Sequence, residues 1–126
     1  PSSYSLRNYF VSELPSGTVT FLFTDIQDST RLWDQDPKTM SQALVRHDEI
    51  IERLTQQYNG FIVRPRGEGD SRFAVFVRAM DGVVAAAAIQ RAFAAESWPR
   101  EISLSIRMGL HTGEGETQDE RGAEPG

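Results

Sequence analysis

The sequence predicts an α+β domain in which strands and helices alternate as βαββαβ, forming an antiparallel sheet with its helices packed on one face. Three observations carry this. Segments with period-2 apolar patterning stand near the start and near the end, at residues 18–24 and 102–110. Two helical segments lie between them, one with apolar steps of three and four residues and one rich in alanine. In the middle, two short β-branched and aromatic runs flank a charged, glycine-bearing connection, the pattern of a hairpin.

Residues 1–16 (PSSYSLRNYFVSELPS) show no sustained period and end in a Pro-Ser-Gly turn signal, so they are expected to be a flexible leader, with the domain core over 17–112. In TVTFLFT (18–24), Thr alternates with Val19, Phe21 and Phe23, as in a strand with one fully apolar face. The segment after Asp25, IQDSTRLW, turns into a helical stretch. Met40, Leu44, His47, Ile51, Leu54 and Tyr58 then mark one face of a helix over 38–58, which Asn59-Gly60 stops. FIV (61–63) and FAVFV (73–77) bracket RPRGEGDSR as the hairpin. Asp81 is a candidate N-cap for DGVVAAAAIQRAFAAES, whose small side chains permit close packing on a sheet and which ends before Pro99. Ile102, Leu104, Ile106, Met108 and Leu110 alternate with Ser103, Ser105, Arg107 and Gly109 as a half-buried last strand. Trp33 and Trp98 read as core or interface anchors. From residue 113 onward GEGETQDERGAEPG has no large apolar side chain and is expected to be a polar, mobile segment.

This order of elements is the ferredoxin-like unit, with spatial strand order 4-1-3-2. The first and third strands are then antiparallel neighbours, so Asp25, at the end of the first, lies beside the loop that feeds the third, at Asp70.

Composition narrows the function. At 126 residues the chain holds one domain, and 13 Lys and Arg against 18 Asp and Glu leave a net charge of −5, unsuited to binding nucleic acid through many phosphates. With no Cys there is no disulfide framework and no thiolate chemistry, which suits a reducing cytoplasm. No run of apolar residues is long enough to span a membrane, and the first residues carry neither a basic nor an apolar signal region.

Asp25 and Asp70, with the backbone carbonyl of Ile26, are hard oxygen donors suited to Mg²⁺ or Mn²⁺, and a pair of such ions would organise a triphosphate. The competing reading is an Asp that ends a strand and an Asp in a turn. Near Asp28, Ser29 and Thr30, free N–H groups at a helix start either receive phosphate oxygens or are capped by Asp28 or Ser29. Gly67 and Gly69 free the hairpin backbone, and Arg64, Arg66 and Arg72 either face an anion or are solvated charge. His111 is a proton carrier or a structural residue.

The stretches LPSGTVTFLFTDIQDSTRLWD (14–34), VRPRGEGDSRFAVF (63–76) and IRMGLHTGE (106–114) together resemble the N-terminal half of a class III nucleotidyl cyclase catalytic domain, most similar to bacterial adenylate cyclases. The resemblance implies the same ferredoxin-like fold. It implies that Asp25 and Asp70 bind two Mg²⁺ or Mn²⁺ ions, that the Ile26 carbonyl completes one ion site, and that residues 26–30, with Asp28, Ser29 and Thr30, form the triphosphate turn. Arg66 stands four residues before Asp70, where adenylate cyclases of the family usually have a base-reading Lys and guanylate cyclases a Glu. Asp28 replaces a usual Gly; Asp tolerates a left-handed backbone, but its charge opposes a triphosphate.

The implied activity is a phosphorus–oxygen lyase converting ATP, rather than GTP, to cyclic AMP and pyrophosphate in intracellular signalling, in a protein that is a homodimer when intact, with no nucleic acid or membrane partner through this domain. The sequence stops before the family's Asn and Arg that stabilise the transition state. These 126 residues alone are therefore expected to be inactive. The alternative is a degenerate cyclase-homology module serving as a regulatory or dimerisation domain, which Asp28 and Arg66 favour. An RNA-binding sheet with Phe21, Phe23, Phe73 and Phe76 as stacking platforms conflicts with the acidic balance, and RGEGDSRF departs from the diguanylate cyclase signature.

Overall fold

The computed structural model describes residues 17–63 and 69–115. The leader over 1–16, the hairpin residues Arg64, Arg66 and Gly67, and most of the polar C-terminal segment lie outside the described residues. The elements are β1 (Gly17–Ile26), α1 (Ser29–Gln35), α2 (Pro37–Gln57), β2 (Gly60–Val63), β3 (Arg72–Phe76), α3 (Ala79–Ala95), a 3₁₀ turn (Pro99–Glu101) and β4 (Ile106–Gly115). The sheet order is β2-β3-β1-β4 with every neighbouring pair antiparallel, the α+β arrangement and strand order expected.

β1 buries only part of the face that its aromatic residues suggest: Val19 is buried there, but Phe21 is only partly so. Thr20, Leu22, Thr24 and Ile26, each no more than 3% exposed, share the face covered by helices, whereas Phe23 is 49% exposed on the other side. Leu22 and Ile26 join Ile50, Ile51, Ala85 and Ile89 in the core. The reason is parity. Side chains alternate along a strand, so Asp25 must share a face with Val19, Phe21 and Phe23, and a carboxylate cannot lie under helices without a large desolvation cost. The threonines serve on the inner face because their methyl groups pack and a hydroxyl can pair, as Thr20 does with Thr112 at 2.7 Å. On the open face, Phe21 stacks on Phe73 at 5.5 Å and Phe23 leans on the same ring at 4.6 Å.

α2 starts where Asp36 accepts hydrogen bonds from the Thr39 amide (3.2 Å) and hydroxyl (2.7 Å), with Pro37 in the first turn. Its buried stripe includes Met40, His47, Ile51 and Leu54, as the spacing predicts, and it ends at Asn59, whose φ of 67° turns the chain into β2. Gly60 must follow: a Cβ there would overlap the Phe76 ring. α3 begins at Ala79, two residues earlier than expected. Asp81 is therefore not its N-cap but an acidic first-turn residue, placed to favour the helix dipole. The small residues Gly82, Ala85 and Ala88 let α3 approach the sheet, and a Cβ on Gly82 would stand 3.0 Å from the Thr20 methyl. Trp98 packs against the core edge and donates its indole N–H to the Phe93 carbonyl at 3.1 Å.

β4 is displaced relative to its apolar pattern. Leu104 is buried and Ile102 packs on the core, yet pairing begins only at Ile106, because β1 ends at Ile26 directly opposite. A single further bond, Gln27 N–H to the Ser105 carbonyl at 2.8 Å, closes that end. At the other end the strand continues past Thr112 through Gly113 and Glu114 to Gly115, paired with Val19, Thr18 and Gly17. The ladder holds these residues where their side chains supply nothing to bury.

One polar link ties α2 to β3. The Arg72 guanidinium grips Asp48 through Nε–Oδ1 (2.9 Å) and Nη2–Oδ2 (3.1 Å), and fully buried His47 holds the same Oδ1 through Nδ1 at 2.8 Å. His47 also meets Phe93 edge-on at 5.6 Å. Burial pushes the Asp48 carboxyl pKa up, but the hydrogen bonds from His47 and Arg72, with the Arg72 charge, outweigh it and hold the value below the ordinary range.

Gly60→Ala should cost about 1–3 kcal/mol, read as a lower urea midpoint, because Phe76 must move. Gly109→Ala on β4, where a Cβ would meet nothing within 4 Å, should stay within about 0.5 kcal/mol of the parent. Since the folded pKa of Asp48 is depressed, its contribution is present above the unfolded value of about 3.9 and is lost as pH falls through the folded one. Asp48→Asn should therefore cost about 1 kcal/mol at pH 7, a figure reduced for solvent screening of this half-exposed pair, and the two unfolding curves should converge under acid.

Candidate functional site

The end of the sheet where β1 gives way to α1 gathers most of the residues singled out in the sequence. Asp25 is the next-to-last residue of β1, on the open face. Its cross-strand partner on β4 is Arg107, whose Nη2 donates to Asp25 Oδ2 at 2.6 Å. Arg107 was not among the residues singled out as candidates. Its signal was present in the sequence as the basic residue of the alternating IRMGL run, but only strand register shows that it sits opposite Asp25.

The last rung of the β1–β3 ladder is Thr24 with Arg72. Asp25 follows that rung on one strand, and Asp70 and Ser71 precede it on the other. The two aspartates thus reach the same end of the sheet, as the topology requires. Asp70 is 8% exposed and follows Gly69, which has a φ of +86°. Asp25, Ser71, Phe73, Arg107 and Gly109 line an open pocket of about 340 Å³.

A second pocket, of about 720 Å³, is lined by Asp25, Ile26, Asp28, Ser29, Thr30, Arg31 and Arg107. Asp28 has φ 58° and ψ 31°, the left-handed conformation that a Gly would hold without penalty and that Asp tolerates. It occupies the N-cap position, but its side chain makes no capping bond; the carboxylate instead lies 3.4 Å from Arg31. The first bond inside α1 runs from Leu32 N–H to the Asp28 carbonyl, so the amides of Ser29, Thr30 and Arg31 have no acceptor within the helix.

Arg72, read from the sequence as facing an anion or as solvated charge, is not solvated: it lies on the helix side of the sheet, paired with the Asp48 carboxylate, because it shares a face with Thr24 across the ladder. Arg66 lies outside the described residues. His111 is on the open face, stacked on Phe21 at 6.1 Å.

No group of three or more His, Cys, Asp or Glu among the described residues could hold a metal unaided. Two carboxylates of oxygen-only character nevertheless fit the habit of Mg²⁺ and Mn²⁺, which take one or two carboxylates and complete their shell with water and substrate phosphates. Arg107 offsets the charge of Asp25 in this structure.

Residues 11–117 match the adenylate and guanylate cyclase catalytic domain. An uncharacterised protein of Mycobacterium tuberculosis is 38% identical over 111 residues, covering 87% of this chain and 36% of that protein. The adenylate cyclase of Neurospora crassa is 31% identical over 119 residues, covering 79% of this chain and 5% of that protein. Among solved structures, an adenylate cyclase from Trypanosoma brucei in its monomeric state superposes with a TM-score of 0.72 at 25% identity, over 81% of this chain and 59% of that one. The guanylate cyclase domain of a rhodopsin fusion from Catenaria anguillulae, solved with GTP, shares the fold with a TM-score of 0.69 at 23% identity, over 78% of this chain and 57% of that one. The chain spans about a third of the length of its mycobacterial relative. Matched over most of its residues and with the fold of solved cyclase domains, the chain belongs to the adenylate and guanylate cyclase catalytic domain family.

Proposed function

We propose that this chain is the metal- and phosphate-binding half of a nucleotidyl cyclase site whose substrate is ATP and whose products are cyclic AMP and pyrophosphate. The observation that carries the reading is the pocket in which Asp25 and Ile26 meet the amides of Ser29 and Thr30, with Asp70 at the same sheet end. Asp25, Asp70 and the Ile26 carbonyl would hold two divalent ions, Mg²⁺ or Mn²⁺, which would make the ribose 3′-hydroxyl a better nucleophile and offset charge on the phosphates.

The amides at the start of α1 receive phosphate oxygens. Arg107 pairs with Asp25 before substrate arrives and lines the same pocket, positioned to pair with a phosphate instead. In the reaction the ribose 3′-hydroxyl gives up its proton to water as its oxygen bonds to the α-phosphorus, the bond from that phosphorus to the bridging oxygen breaks, and pyrophosphate leaves. A second base-reading group and the groups that stabilise the transition state come from outside these residues, in a cytoplasmic homodimer of the intact protein. Arg66 stands where adenylate cyclases of the family usually have Lys; it has hydrogen-bond donors as Lys does, but its planar fork is not an equivalent group.

A second reading, a regulatory module that has lost nucleotide chemistry, is favoured by one observation: the Asp28 carboxylate lines the pocket that must accept phosphates.

The two readings separate in a thermal-shift experiment. Mn²⁺ with ATP at about a hundred times the dissociation constant should stabilise the chain by about 2.7 kcal/mol, a rise of several degrees in midpoint, and more than GTP does. Asp25→Asn and Asp70→Asn should each abolish the rise; no shift in the parent would favour the regulatory module. Asp28→Gly keeps the left-handed turn and removes the charge. It should tighten ATP binding several-fold while changing stability by less than about 1 kcal/mol, checked by calorimetric titration and urea unfolding.

A further inference from the structure

We infer that Asp48 of α2 is a positioning residue for Asp70 and acts through Arg72. This inference rests on the reading of Asp70 as a metal ligand. Asp48 sits on the helix layer, 24 residues before Arg72, and is not among the residues lining either pocket at the candidate site. Its reach toward that site runs through a single guanidinium. Nε and Nη2 of Arg72 are committed to the Asp48 carboxylate, which fixes the plane and rotation of the group. The remaining nitrogen, Nη1, donates to the carbonyl of Gly69 at 2.9 Å and to that of Ser71 at 2.8 Å. Those two carbonyls belong to the residues on either side of Asp70.

The arrangement matters because of what Gly69 would otherwise do. With φ at +86° it occupies one of several conformations open to glycine, and each would aim the Asp70 carboxylate differently. Tying the carbonyls before and after Asp70 to one rigid, planar group selects a single conformation. The guanidinium is in turn held from a helix whose neighbouring residue, His47, is fully buried, packs on Phe93 and grips the same carboxylate. Mg²⁺ and Mn²⁺ demand ligand placement within a few tenths of an ångström, so a carboxylate on an unclamped glycine loop would bind them less well. A lysine at 72 would keep the charge, but its single nitrogen cannot hold a carboxylate at two points and two carbonyls as well.

The test uses the full chain and Mn²⁺ alone as probe, with affinity measured by titration. Asp48→Asn and Arg72→Lys are made singly and in the Asp70→Asn background; Arg72→Lys, which keeps the charge, serves if Asp48→Asn unfolds. Each single change should weaken Mn²⁺ binding about 10-fold or more, the usual effect of losing a group that orients a metal ligand. Neither should weaken it further once Asp70 is Asn. In the absence of metal, the Ser71 and Arg72 amides should exchange with solvent faster in both variants than in the parent.

If Asp70→Asn weakens Mn²⁺ binding while Asp48→Asn and Arg72→Lys do not, the positioning role is wrong and the metal reading stands. Equal losses with and without Asp70 would also overturn it, since the clamp would then act on the fold at large. If Asp70→Asn itself leaves Mn²⁺ binding intact, the metal reading fails and the positioning role fails with it.

Discussion

The alternation of side chains along β1 is the constraint on which the rest of the structure depends. Asp25 belongs on the solvent side of the sheet, and in a strand that requirement sets the side for every other residue. Thr20, Leu22, Thr24 and Ile26 go beneath the helices; Phe21 and Phe23 stay on the open face. From this parity follow the faces of the neighbouring strands. Phe73 comes to stack with Phe21 and Phe23, Arg72 turns toward α2, and Arg107 stands opposite Asp25. A slip of one residue would put the carboxylate under α3 and the core leucine in water.

Charge organises the site in two layers. At the open surface Arg107 and Asp25 form an exposed pair, and such pairs contribute little to stability because water screens them and solvates each partner when they part. That low cost of separation is compatible with the exchange of partners proposed for the site. Behind the sheet, Arg72 and Asp48 form a two-point contact, with Arg72 largely buried and with His47 and loop carbonyls as additional partners. Breaking it would leave several polar groups with nothing to bind. The exchangeable pair lies where chemistry is proposed, and the permanent pair lies where the backbone needs holding.

The open face carries aromatic rings that a purely structural sheet would cover. Phe21, Phe23 and Phe73 form a continuous stack ending at His111, with Phe23 half exposed. It adjoins the pocket that Asp25 and Arg107 line. α3 packs on the sheet largely through small side chains and α2 through a mostly apolar stripe, and no residue of α2 or α3 lines either pocket at the sheet end. All the candidate ligands are therefore carried by strand ends and turns, where backbone groups are free and a rigid sheet holds them in place.

Much of this was legible in the sequence because it depends on local periodicity. The stripe from Met40 to Leu54, the alanine run of α3 and the hairpin glycine each express a rule about one element. The strand order followed from the order of elements, and with it the meeting of Asp25 and Asp70. The left-handed turn at Asp28 was suggested only by the family resemblance, in which a Gly usually stands there.

What sequence reasoning missed depends on which residues stand opposite one another. Apolar alternation placed Ile102 in a strand, but pairing needs a partner, and β1 ends opposite Ile106. The burial of Thr20 and Thr24 in preference to Phe23, the Asp25–Arg107 pair and the grip of Asp48 on Arg72 are likewise facts of register and packing. A sequence by itself determines which conformations each segment favours, because those preferences are set within a few residues. Only the tertiary structure decides which side chains meet, because contacts between residues tens of positions apart depend on how every intervening element packs.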